Sequence, residues 1–284
     1  MVSIDTDGHR RRGRRPLEVD ESDDRTVRSP RRRAVLGGLA ASVGSVAGCL
    51  SAGKRPASEA ASNDESTAEL VAAATTALGT DSLFHATTET TALGVPLAGV
   101  PIAGARDAPV DLYYWGDYQC PFCTHFERGA FPELLANDVA DGTVRIALLQ
   151  LPKVGDDSKV AAALSKCVWR QVQEDRPDAY LRWHEAVFDA QGEKNSGWAS
   201  RAALLSLTED VDGIDADALE ADLETNREKI RSRLDADAES ATANGVSATP
   251  SFLVFHADSD TTTQLKGAQP YEMYRDAIEE VQHA

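Results

Sequence analysis

The sequence predicts an α/β domain over residues 104–284, in which a β-α-β half and a β-β-α half flank a helical insertion at about 156–244. Three observations lead there. An aromatic strand pattern runs into Cys120-Pro121-Phe122-Cys123 and then a helix; a long block of helical apolar spacing without strand signals follows; and Thr249-Pro250 opens a pair of strands ahead of a C-terminal helix.

The first strand is read from Asp111-Leu112-Tyr113-Tyr114-Trp115, an apolar run bounded by Pro109 and Gly116. After the turn, Pro121 suits the first helical position, where its missing N–H would be unpaired anyway and its φ is already helical. Cys120 is then the N-cap. The helix is expected over 121–139, interrupted at Pro132, with a strand at 144–151. In the insertion, Val160, Ala163, Leu164, Cys167 and Val168 share one face of a helix at 158–173, and Leu181, His184, Val187 and Phe188 one face of a helix at 177–190. A helix at 199–207 comes next, then one continuous helix over 215–244, which Gly245 ends as a C-cap glycine. Strands at 251–255 and 262–266 lead to a final helix at 270–282. Pro250 fits the first residue of a strand, where a proline is tolerated.

The two thiols are unequal by position. Cys120 at the N-cap faces free backbone N–H groups and the positive end of the helix dipole, which favour the thiolate and make it the attacking sulfur. Cys123 lies one turn on, and helical neighbours at that spacing are about 5–6 Å apart, within the span a disulfide accepts. It is the resolving sulfur. Three other readings compete. A structural bridge closing so short a loop constrains the unfolded chain little. A zinc half-site needs two more ligands, for which His125, Cys167 and His184 stand in no metal-binding spacing. Two buried core cysteines are the third. Strand, proline and helix together favour redox exchange, with no cofactor and no metal. Cys167 reads as a buried inert thiol, Trp183 and His184 as packing of the helical block, and His125 as a partly exposed neighbour of the site.

At this point the sequence resembles the DsbA-like thiol-disulfide oxidoreductases of the thioredoxin superfamily, through Asp107-Ala108-Pro109-Val110, the run Asp117 to Cys123 with Phe126 behind it, and Gly245-Val246-Ser247-Ala248-Thr249-Pro250-Ser251-Phe252. The resemblance implies a thioredoxin-like fold with a helical insertion. It also implies a cis Pro250 against the disulfide, with the backbone of Thr249 pairing with an extended substrate segment. One departure stands out. Six residues before the first cysteine, such proteins usually carry a buried acid that accepts the resolving thiol's proton, and here Tyr114 is found. A phenol titrates near about 10 and is a weak base at neutral pH. Asp117 is the nearest substitute, or merely caps the turn. Pro121-Phe122 also lacks the histidine of strongly oxidising relatives.

On the N-terminal side, Pro30-Arg31-Arg32-Arg33-Ala34-Val35-Leu36 precedes an uncharged stretch to Gly48, so residues 1–48 read as a signal peptide in which Arg32 and Arg33 resemble a twin-arginine export signal. Val46-Ala47-Gly48-Cys49 resembles a lipobox, with Cys49 the lipidated residue. Residues 49–103 then read as a lipid-anchored, Ala/Ser/Thr-rich flexible tether and an extended lead-in. Beyond residue 48 the chain holds 19 basic and 39 acidic residues, a net charge of −20. The acids are spread rather than blocked, a pattern that keeps a protein soluble in high salt and that points to a halophilic archaeon. Nucleic acid is a poor partner for such a surface.

The expected function is an extracytoplasmic oxidoreductase, lipid-anchored at the outer face of the cell membrane, that forms, reduces or isomerises disulfides in exported proteins. Its partners would be exported client proteins with cysteines and a separate redox partner. Two other classes fit the same motif: a non-catalytic thioredoxin-like chaperone or binding module, and a protein delivering a soft metal ion through its dithiol.

Overall fold

The computed structural model describes residues 67–284. The expectations placed on Arg32, Arg33 and Cys49, and on the tether as far as residue 66, lie outside those residues.

The tether reading needs correction from residue 67 onward. Thr67–Leu78 forms helix α1, and two short strands follow, β1 (Phe84–His85) and β2 (Ile102–Ala103). Composition alone pointed to a solvated linker, but Ala74, Leu83 and Phe84 are buried in the main core. Asp178, far along the chain, accepts hydrogen bonds from the Ser82 hydroxyl (2.6 Å) and from the Leu83 and Phe84 N–H groups (3.0 and 3.1 Å). The lead-in packs as well, with Val95, Leu97 and Val100 buried against one sheet face.

Strand β3 (Val110–Gly116) runs into helix α2 (Pro121–Arg128). The break expected at Pro132 falls instead at Gly129, whose backbone (φ −110°, ψ −98°) leaves the helical region. Pro132 sits in the first turn of the next helix, α3 (Ala130–Leu134), where a missing N–H costs nothing. A π-helical turn, Leu135–Val139, leads to strand β4 (Val144–Gln150). The insertion comprises α4 (Ser158–Val172), α5 (Ala179–Asp189), α6 (Arg201–Glu209), α7 (Ala216–Thr225) and α8 (Arg227–Ala243). The single helix expected over 215–244 is thus two, broken at Asn226. There the Asn226 side-chain amide donates to Asp222 (2.6 Å), the carboxylate that also takes both arms of Arg170 from α4. Asparagine's local bonding competes with the backbone ladder. Strands β5 (Ser251–His256) and β6 (Thr261–Lys266) and helix α9 (Tyr271–Gln282) complete the chain.

The six strands lie in the order β1-β2-β4-β3-β5-β6, with β3 and β4 parallel and every other neighbouring pair antiparallel. Both faces of the sheet are buried. Leu112, Tyr114, Ile146, Leu148, Phe252 and Val254 face the main core, while the residues after each of them face the lead-in and the end of α8. Lys166 of α4 and Asp237 of α8 form a buried ion pair (2.7 Å), and Asp237 also accepts the Gln150 N–H (2.9 Å), fixing the insertion to the end of β4. Among the described residues no helix is long and apolar enough to cross a membrane.

Candidate active site

The site forms where β3 ends. Asp117, buried in the turn, accepts the Gln119 N–H (2.9 Å) with one oxygen and the Lys153 and Val154 N–H groups (both 2.7 Å) with the other. It caps the turn and ties it to the loop after β4. Cys120 follows in an extended conformation as N-cap of α2, with Pro121 in the first turn. Cys123 lies wholly beneath it, 3.4 Å from the Asp117 N–H, and both thiols are free.

The Thr249–Pro250 peptide bond is cis and abuts the pair: the Cys120 thiol donates to the Thr249 carbonyl at 3.2 Å. The structure therefore brings together Cys120, Cys123, Thr249 and Pro250, four residues singled out in the sequence. The two thiols are driven apart in acidity. A hydrogen bond from the Cys123 thiol, then the Thr249 side chain and the backbone N–H groups of Cys123 and Phe122, outweigh burial and bring Cys120 down to about 6. Burial, together with the neighbouring Cys120, pushes Cys123 well up. At neutral pH one sulfur is a nucleophile and the other holds its proton.

Other residues cluster at the site without having been picked out in the sequence. Gln191, just past α5, donates to the Tyr118 and Cys120 carbonyls (2.6 and 3.2 Å) and accepts from Thr124 (2.6 Å), so the insertion clamps the motif. Asn195 donates its N–H to the Gln119 side chain (3.0 Å). These contacts leave no local signature in sequence. Glu127 does, since it stands four residues past Cys123 on the same helical face. Phe122, 59 % exposed, projects outward between the cysteines. His125 is exposed, with its ring edge-on to Phe122. Trp183 packs in the insertion, its indole N–H donating to Thr208 (2.9 Å). His184 is buried there too, but turns toward the site. Cys167 lies on the apolar face of α4, its thiol pushed up by burial. Among the described residues, no three His, Cys, Asp or Glu side chains are grouped to hold a metal ion.

A family model described as thioredoxin matches residues 98–280. Disulfide bond formation protein D of Bacillus subtilis is 27 % identical over 183 residues, spanning 64 % of this chain and 77 % of that protein. Among solved structures, oxidised BdbD from Bacillus subtilis superposes with a TM-score of 0.57 at 26 % identity, covering 70 % of this chain and 100 % of the other. Wolbachia pipientis α-DsbA1, 18 % identical, shares the fold with a TM-score of 0.57 over 69 % of this chain and 96 % of its own.

Proposed function

The chain belongs to the thioredoxin family and is a DsbA-like thiol-disulfide oxidoreductase; on that premise we propose that it exchanges disulfides with exported client proteins through Cys120 and Cys123, outside the cytoplasm. The observation that supports this most directly is the placement of a thiol with a pKa of about 6 at a helix N-cap, facing the Thr249 carbonyl beside the cis-Pro250 bond. Exposed Phe122 adds an apolar contact suited to unfolded chains.

In the reductive direction, the Cys120 thiolate attacks a client disulfide. One client sulfur leaves as a thiolate and the other is held in a mixed disulfide. Cys123 then attacks Cys120, closing the intramolecular disulfide and releasing the client's second sulfur. In the oxidative direction a client thiolate attacks Cys120 and expels Cys123, and a second client thiol resolves the mixed disulfide. The Thr249 backbone orients the client as an added extended segment. The outer face of the membrane, reached through export at Arg32-Arg33 and a lipid on Cys49, is part of this proposal, and disulfides persist in such a compartment.

Substitution separates the two sulfurs. Cys120→Ser should abolish exchange, whereas Cys123→Ser should keep a reactive Cys120 and accumulate mixed disulfides with clients, visible as thiol-sensitive adducts on non-reducing gels. Loss of activity in both variants with no trapped adduct would sink the assignment.

A further inference from the structure

Beneath α2 lies a buried polar cluster that the exchange of sulfurs does not use. Glu127 is almost fully buried one turn past Cys123 and shares its face of the helix. Tyr114 approaches from β3, its ring stacked on Phe252 (centroids 5.1 Å apart) and tilted against Phe126 (4.7 Å). Its hydroxyl faces Cys123 and Glu127. Gly116 makes room for it, since a Cβ there would come within 2.7 Å of the Tyr114 oxygen. On the other side, Nε2 of His184 lies 3.1 Å from Glu127 Oε1, and its Nδ1 lies 2.8 Å from the Tyr118 hydroxyl, which continues to Tyr180 (3.4 Å) and on to Ser165 (2.9 Å).

Three atoms at this spot, Tyr114 Oη, Glu127 Oε1 and His184 Nε2, are buried without a hydrogen bond of ordinary geometry. Protein interiors rarely leave such atoms unpaired. Here they meet around Glu127, and the Tyr114 hydroxyl also faces the resolving thiol. Asp117, the other nearby acid, has both oxygens occupied by backbone N–H groups.

We propose that Glu127 accepts the proton of Cys123 through the Tyr114 hydroxyl, with His184 positioning the carboxylate. This rests on the exchange reading above. During resolution the Cys123 proton passes to Tyr114 Oη while the phenol's own proton passes to Glu127. The Cys123 thiolate then attacks Cys120 Sγ, the Cys120–Cys123 bond forms, the bond from Cys120 to the client breaks, and the client sulfur leaves as a thiolate with the electron pair. In the opposite direction the expelled Cys123 thiolate recovers its proton along the same path. Because both protons shift together, Tyr114 never becomes a free phenolate, which burial disfavours strongly. The titratable groups facing Glu127 are Tyr114 from β3, Cys123 from its own helix, Tyr118 from the turn, His184 and Tyr180 from α5, and Tyr274 from α9.

The test uses the full chain carrying Cys49→Ser and Cys167→Ala, reduced and mixed with dithiobis-nitrobenzoate. Attack by Cys120 releases a first coloured thiolate, and resolution by Cys123 releases a second. Glu127→Gln should leave the first phase unchanged. It should slow the second about a hundred-fold at neutral pH, the lower end of what a positioned proton acceptor contributes, and its rate should keep rising into alkaline pH. Tyr114→Phe should slow the same phase, and Glu127→Asp should restore part of it. A second-phase pH profile of Glu127→Gln or Tyr114→Phe that superimposes on the parent's overturns the relay. Should Glu127→Gln fail to fold, Tyr114→Phe, which removes one oxygen, decides alone. A parent chain with no fast first phase would instead overturn the exchange reading itself.

Discussion

Asp117 and Glu127 are both buried carboxylates close to the same pair of thiols, one just ahead of the active-site helix and the other in its second turn. Their partners differ. Asp117 is met by three backbone N–H groups from two segments, donors that never change charge, whereas Glu127 is met by an imidazole and a phenol, each able to gain or lose a proton. Burial alone does not tell a structural acid from a chemical one; the groups that face it do.

Removing each acid in turn sharpens this contrast. The largest effect belongs to Asp117→Ala, which strands the Gln119, Lys153 and Val154 N–H groups; at about 1–3 kcal/mol for an unsatisfied buried donor, part of which water recovers at the loop, the loss is about 3 kcal/mol in denaturant unfolding at high salt. A loss below about 1 kcal/mol would mean that Asp117 is no strut.

A smaller effect, with a definite sign, separates the thiols. Cys120 in the reduced fold titrates at about 6, below the roughly 8.5 of an unfolded thiol. Its thiolate therefore stabilises the reduced fold fully above about 8.5, and this contribution is lost as pH falls through about 6. Cys123 is shifted upward, so its opposing effect sets in as pH rises past about 8.5, where the unfolded thiol ionises first. Between about pH 6 and 8.5, the melting temperature of the reduced chain should rise relative to that of Cys120→Ser. A flat difference would remove the thiolate argument.

The smallest change in stability is expected from Glu127→Gln, which keeps shape and an acceptor oxygen and should stay within about 1 kcal/mol in the same unfolding measurement, the net worth of an ordinary hydrogen bond. If it destabilises as much as Asp117→Ala, the distinction between the two acids collapses.

Much of the site was legible because its signals are local. Pro121, Gly116 and the aromatic run define strand, turn and helix within a dozen or so residues, and Thr249-Pro250 marks the start of β5. What escaped depends on distant partners. The break at Asn226 follows from Arg170 of α4 holding Asp222, which no pattern within 215–244 reveals. The stretch from residue 67 folds because α1 packs on the π-helical turn, Asp178 holds Ser82 to Phe84, and the β4 edge receives β2. Asp117 and Tyr114 drew attention by nearness to Cys120 in sequence, while Glu127, at plain helical spacing from Cys123, gains its meaning from His184 in the insertion.

Strand β2 carries a practical consequence. Ile102 and Ala103 pair antiparallel with Ala147 and Ile146, and Pro101 accepts the Leu148 N–H at 3.0 Å, so the apolar strand β4 is covered on the side away from β3. A fragment starting at Gly104, where the sequence alone places the start of the domain, would leave that strand as a bare sheet margin rich in Ile and Leu. Such margins recruit one another into stacked aggregates. Recombinant work on the folded domain should therefore begin ahead of α1, so that the chain supplies its own cover.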